Sequence, residues 1–235
     1  MRDMKRINII IIVIVVVVLT VSVYLDAKFP WGFRVLEERY FLYLKGRILS
    51  AIVFFKEEED IEQKRKLILK YDEQDDWESL MQPAEEYLKL VPQDKEIWLL
   101  LAESYKRSDR LIDAERAVEK ALELDAKFPW GLRALAAIYR TKAEQSPQLK
   151  QKYLSKAQLK IEEALKIAPD DAYVNIEAAK VYLAQDKKIK ALKAVDKSLE
   201  LKPEERYFLY FKGRILSAIL SEKLNNKKRH SLILN

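Results

Sequence analysis

Catalytic chemistry has few places to start in this chain. There is no cysteine, and the one histidine, His230, lies in a polar tail. The missing cysteine removes disulfides, thiolate zinc sites and cysteine nucleophiles together, and leaves the redox compartment open. His230 has no helical partner four residues away for a metal and no acid to orient it. Paired carboxylates, a Ser-His-acid set, metal-ligand spacings and a glycine-rich phosphate loop are all absent as convergent patterns. The acid run Glu57 to Asp60 reads as a solvated helix end, and the isolated glycines fit close packing or turns. The sequence therefore predicts no catalysis, no metal and no cofactor. Its chemistry must lie in binding surfaces, and those depend on the elements that carry them.

The chain has 235 residues, 49% apolar and 34% charged, which fits one helical globular domain or two small ones. Only 4 glycines and 7 prolines interrupt it, so long helices with short loops are expected and a many-stranded sheet is not. The fold class is all-α. A net charge of +6 is modest, and part of it sits in the closing run Lys223, Lys227, Lys228, Arg229. That run could touch anionic lipid or nucleic acid, and reads more simply as a basic tail over residues 221–235. Nothing shows the long basic stripe with interleaved aromatics that a nucleic-acid surface needs, so no nucleic-acid partner is expected.

Residues 7–25 run almost unbroken through Ile, Val and Leu. At about 1.5 Å rise per residue they match a hydrocarbon core about 30 Å thick, so a transmembrane helix is expected. A cleaved signal peptide is the alternative, but the run exceeds the usual h-region of about 7 to 15 residues and no small-x-small site follows. Arg2, Lys5 and Arg6 crowd the leading segment 1–6 and hold it in the cytoplasm by the positive-inside rule. The expectation is a single-pass protein with its larger part on the extracytoplasmic side, periplasmic in a bacterium; the opposite orientation stays open. Residues 26–60 form a juxtamembrane helical linker. Its apolar stretch 40–55 has Lys45 and Arg47 at its middle, where lipid would be costly, so an amphipathic helix is expected there.

Beyond the linker an apolar pattern repeats. Trp98, Ala102 and Tyr105 are answered 34 positions on by Leu132, Ala136 and Tyr139. The unit from Lys95 is completed by Leu101, Ala114, Val118 and Ala121. In the next, Ala157, Ile161, Ala164 and Pro169 arrive nine residues late, so the turn has grown, with Ser146-Pro147 as a helix start and both helices lengthened. This unit should protrude from the stack. A third unit runs through Ala178, Ala179, Tyr182, Ala191, Val195 and Pro203. A fourth offers only one helix, with Leu209, Gly213 and Leu216, expected as a cap with a polar outer face. Upstream, Leu67, Tyr71, Ala84 and Pro92 fit a first unit whose second helix spans about 76–90.

This period and pattern resemble the tetratricopeptide-repeat (TPR) family over residues 61–220, in about three and a half units. The resemblance implies a right-handed helix-turn-helix solenoid, preceded here by the transmembrane helix. It also implies a concave groove lined by the first helix of each unit. The residues falling there are Glu96, Leu99, Glu103, Lys106 and Arg107, then Trp130, Arg133 and Arg140, then Tyr173, Ile176 and Lys180, then Tyr207, Tyr210 and Arg214. Family members that hold a peptide's terminal carboxylate use asparagines with lysine and arginine. Here Leu99, Glu103, Ala137 and Ile176 stand at those places, so that clamp is not reproduced. Arginines that grip carboxylates beside rings that stack imply an extended peptide or a helix with acidic and apolar residues. The plainer reading packs the tyrosines between helices and leaves the charges solvated.

One feature lies outside the family pattern. Residues 25–34 nearly repeat 124–133, and Glu37 to Ile52 nearly copies Glu204 to Ile219. Recombination, or an artificially generated sequence, would splice segments this way. The segment 40–55 then either imitates the last helix and closes an end of the solenoid, in this or a second molecule, or simply links anchor to domain. The function expected from the sequence is a membrane-anchored scaffold that binds a protein or peptide and aids assembly of an envelope complex. Its alternatives are a cytosol-facing receptor for precursors or chaperones, and a structural protein that self-assembles through its repeat ends into a homo-oligomer.

Overall fold

A computed structural model describes residues 34–233. The expected tail 1–6 and anchor 7–25 lie outside them, and no helix among the described residues is long and apolar enough to cross a membrane. Among these residues all regular structure is helical: α1 (Arg34–Glu73), α2 (Trp77–Leu90), α3 (Lys95–Arg107), α4 (Leu111–Leu124), α5 (Pro129–Gln145), α6 (Lys150–Ile167), α7 (Ala172–Ala184), α8 (Lys188–Leu201) and α9 (Arg206–Ile233). A 3-10 turn, Pro147–Leu149, leads into α6. The chain divides into two compact units between Gln63 and Lys64, a boundary that falls within α1. In the first unit the stretch 40–55 is helical as expected, and Leu49 and Val53 on it are exposed.

In the second unit each helix packs on the next, giving the pairs α3/α4, α5/α6 and α7/α8, while α3 also reaches α5 and α5 reaches α7. Small residues allow these approaches: Ala84, Ala102, Ala114, Ala121, Ala136, Ala157, Ala164, Ala179 and Ala191 are all buried. A Cβ added to Gly131 would meet Leu122 at 3.0 Å and Phe128 at 3.1 Å, so glycine lets α5 approach α4. Tyr105 and Tyr139 are buried and Trp98 is half-buried with its indole N–H donating to the Pro92 carbonyl at 2.8 Å. Upstream, the end of α1 docks through Lys64 to Glu86 and Arg65 to Asp94, each at 3.0 Å. There Ile68 is the buried residue; Leu67, expected in the core, is exposed.

Two kinds of turn alternate. Within a unit, Asp75, Asp109 and Asp186 take positive φ of 54°, 61° and 60°. In each case the next residue's N–H reaches back to the carbonyl of a tyrosine: Asp76 to Tyr71, Arg110 to Tyr105 and Lys187 to Tyr182, at 2.8–2.9 Å. This is a left-handed helix cap with aspartate in place of the usual glycine. Between units, helices stop just before Pro92, Pro169 and Pro203, since proline disfavours helical backbone in the residue before it. Asp94 and Asp171 then cap the next helices through Ile97 N–H, and through Tyr173 and Val174 N–H.

The same tyrosines tie successive units together. The Tyr105 hydroxyl donates to Glu85 on α2 at 2.5 Å, and Tyr139 and Tyr182 lie beside Glu115 on α4 and Glu162 on α6. Burial, then these carboxylates, push the Tyr105 phenol up to about 12 and raise Tyr139 and Tyr182.

The lengthened unit differs from its expectation in detail. Both helices are longer, 17 and 18 residues against 13 and 14 in α3 and α4. Ser146 makes no side-chain capping bond, and the lengthened end of α5 is tied through Gln145 to the turn of the preceding unit. Gln145 donates to Asp109, Gln185 donates to the Leu154 carbonyl, and Lys187 donates to Gln158. A second correction concerns α9: its outer face is not polar, because Leu209, Leu216, Leu220 and Leu224 are exposed there. Leu209 and Leu216 stand at repeat positions of the pattern, and they lie open because among the described residues no second helix of a fourth unit follows.

Candidate peptide-binding groove

The first helices of the units, α3, α5, α7 and α9, carry the residues expected to line the groove, and they sort into two bands. One band lies at the starts of α5, α7 and α9, where Trp130, Tyr173 and Tyr207 are the second residue of each helix. Each ring is half-exposed, with one side held by the chain. The Trp130 indole donates to Asp171 at 2.9 Å and meets Phe128 edge-on. Tyr173 accepts from Lys202 at 3.0 Å and packs edge-on to Phe208. Tyr207 stacks on Phe211 at 6.3 Å with the Lys180 ammonium 5.1 Å from its ring centre. Tyr210 and Arg214 extend this exposed band along α9, Arg214 lying 5.7 Å from the Phe211 ring centre. At the start of α3 the equivalent place holds the exposed Glu96, so the ladder of rings begins at α5.

The second band is charged and lies further along the inner helices. Glu103 accepts from Lys106 and, at 3.1 Å, from Arg107, whose guanidinium also lies 4.5 Å from the Trp77 ring centre. Arg140 spans two carboxylates, donating to Glu177 and Glu144 at 2.9 Å each. Lys180 sits 3.2 Å from Glu177, whose side chain is only 3% exposed. Burial pushes the Glu177 carboxyl up, but the charges of Arg140, Lys180 and Arg133 outweigh it and leave it at about 2. The same pairing raises Arg140 against its own burial. Glu103 is likewise held below the usual carboxylate range, against its burial, by Lys106, Arg107 and Arg133.

These contacts show which of the expected groove cations are already paired within the chain. Lys106, Arg107, Arg140 and Lys180 are largely engaged by acids of the chain itself. Arg133 differs. It stands close enough to Glu103 and Glu177 to depress both, yet its Nε is buried with no hydrogen-bond partner. Ile176, expected in the groove, is instead buried in the core with Phe208 and Phe211. The residue missed by sequence reasoning is Glu177, the centre of the charged band. Its signal was a lone acid in the run Val174 to Ala179, apolar apart from Asn175, where an unpaired carboxylate would be costly.

No family model and no curated protein matches the sequence. Among solved structures, the chain is similar to TTC0263, a TPR protein of Thermus thermophilus, with a TM-score of 0.64 and 17% identity over 68% of this chain and 82% of that one. It is similar to MamA, residues 41 to the end, from Desulfovibrio magneticus RS-1: TM-score 0.53, 15% identity, 74% of this chain and 93% of that one. A human IFIT1 dimer with m7Gppp-AAAA also aligns, with a TM-score of 0.52 and 18% identity over 66% of this chain and 35% of that one. Identity this low carries a fold and not a ligand. The repeat region of this chain has the TPR fold, an all-helical solenoid.

Proposed function

We propose that this protein is a scaffold whose groove captures an acidic peptide segment of a protein partner, with Arg133 as the carboxylate anchor and the rings of Trp130, Tyr173, Tyr207 and Tyr210 as a stacking ladder. The observation that carries this reading is the buried, unpartnered Nε of Arg133 beside a band whose other cations already hold acids. The Nε is shielded from solvent, so a ligand carboxylate would reach the terminal guanidinium nitrogens of this half-buried side chain, where it supplies two acceptors at once. The half-open rings add sequence-tolerant apolar contact beside it. Extended or helical acidic segments with apolar residues fit both bands.

The test is fluorescence anisotropy with a labelled peptide carrying Asp-Glu-Glu between leucines. Saturable binding that weakens with salt and falls more than about tenfold in Arg133→Glu is expected. Arg116, exposed on α4, serves as control. Absent binding, or equal loss in Arg116→Glu, defeats the assignment.

Residues 7–25 would tether this scaffold to a bilayer with the repeats outside the cytoplasm, where holding a partner near the membrane suits assembly of an envelope complex. The apolar run and the leading Arg2, Lys5 and Arg6 support that part of the reading. A carboxy-terminal alkaline phosphatase fusion active in the periplasm is expected; fluorescence of a cytoplasmic reporter at the same place would instead favour the cytosol-facing receptor.

A further inference from the structure

Helix α9 is apolar on two opposite sides. Phe208, Phe211 and Ile215 are buried in the core with residues of α7 and α8. Leu209, Leu216, Leu220 and Leu224 run along the other side, between 40% and 61% exposed, with Gly213 among them and nothing within 4 Å of a Cβ placed there. In α3 and α7 the matching small residues, Ala102 and Ala179, are buried in pairs with α4 and α8. So α9 presents the seam of a helix pair without its second helix.

We propose that this seam is closed by the same seam of a second copy of the chain, the two α9 helices crossing antiparallel near Gly213 and Leu216. The stripe is self-complementary in that direction. Leu209 of one copy meets Leu220 of the other, and Leu216 fills the space above Gly213, as a two-fold interface requires. Glu205 precedes α9 and caps it, its carboxylate 3.4 Å from the Tyr207 N–H, and at 100° per residue its backbone position lies on the same side of the stripe as Lys223. Antiparallel pairing therefore sets Glu205 of each copy opposite Lys223 of the other, whereas in a parallel two-fold pair the same flanks lie on opposite sides of the seam and these charges do not meet. The near-copy of this segment in α1 is a poorer occupant. It keeps Glu38 and Lys56 in the places of Glu205 and Lys223, but it has Glu57 where α9 has Leu224, which puts an acid in the apolar stripe.

The chain lacks cysteine, so single introduced thiols report cleanly on this geometry. In the full chain in detergent, a mixture of Leu209→Cys and Leu220→Cys proteins is expected to form a disulfide-linked dimer on mild oxidation, and Leu220→Cys alone is not. Leu216→Lys is expected to weaken dimerisation more than about tenfold by analytical ultracentrifugation, with helical circular dichroism and peptide binding kept. Glu205→Lys should weaken it several-fold, and adding Lys223→Glu should restore it. A disulfide in Leu220→Cys alone, a Val53→Cys to Leu220→Cys disulfide in place of the mixed dimer, or a wild-type protein whose self-association ignores these changes would overturn the proposal.

Discussion

The α3/α4 pair fills residues 95–128 and the α5/α6 pair fills residues 129–171, nine residues more, yet the two cross their neighbours through the same kind of contact. In both, buried alanines stand at the crossing: Ala102, Ala114 and Ala121 in the first, Ala136, Ala157 and Ala164 in the second. In both, a tyrosine reaches back to a glutamate of the preceding helix. They differ only past that tyrosine. Four residues beyond Tyr105 the chain turns at Asp109, whereas four residues beyond Tyr139 it continues as helix through the buried Ala143. The close helix contact sets the unit, and the turn beyond it can move by a helical turn on each side without disturbing the stack. Small side chains at a crossing tolerate no change, while the far end of a hairpin needs only new partners for its exposed backbone.

The largest expected effect tests the tie between the long pair and the next. Glu177→Ala leaves Arg140 and Lys180 facing each other without their acid, and should cost about 3 kcal/mol in urea unfolding. The same tie has a pH signature. The Glu177 carboxyl titrates lower in the folded chain than in the unfolded one, so its contribution is fully present above the unfolded value near 4.5 and is lost as pH falls toward about 2. The stability deficit of the variant relative to wild type should therefore shrink as pH falls across that window; an unchanged deficit would show that Glu177 is not held by its cations. Next in size, Ala102→Leu and Ala136→Leu should each cost about 2 kcal/mol by overpacking. A clearly smaller cost at Ala136 would break the equivalence of the two crossings. The smallest effect separates the two turn types. Asp75→Gly, in the tight turn, should leave the melting temperature unchanged or raise stability by up to about 1 kcal/mol, because glycine adopts positive φ freely. Ala143→Gly should lower it by about 1 kcal/mol, because that residue is within a helix.

Much of this was legible along the chain. Period 34 and the small residues located the helix pairs, the prolines located the stops, and the late arrival of Ala157 located the insertion. The left-handed aspartates were legible in principle, since each follows a tyrosine by four residues at 71/75, 105/109 and 182/186, but aspartate in such a turn does not stand out as glycine would. Trp130, Tyr173 and Tyr207 are exposed rings, whereas Ile176, expected beside them, is buried, because neighbouring positions on one helix differ by 100° and a small rotation moves a side chain from surface to core. The state of the cations was not legible. Arg140 and Glu177 are 37 residues apart, and nothing in either local run announces that they meet.

The sequence by itself determined where helices begin and end and which face of each is apolar, because capping, proline and periodicity act within a few residues. Only the tertiary structure decided which charges cancel, that Arg133 keeps a donor unspent, and that the last helix leaves a leucine seam uncovered. Those outcomes depend on which helix lies across from which, and distance through space is not written in distance along the chain.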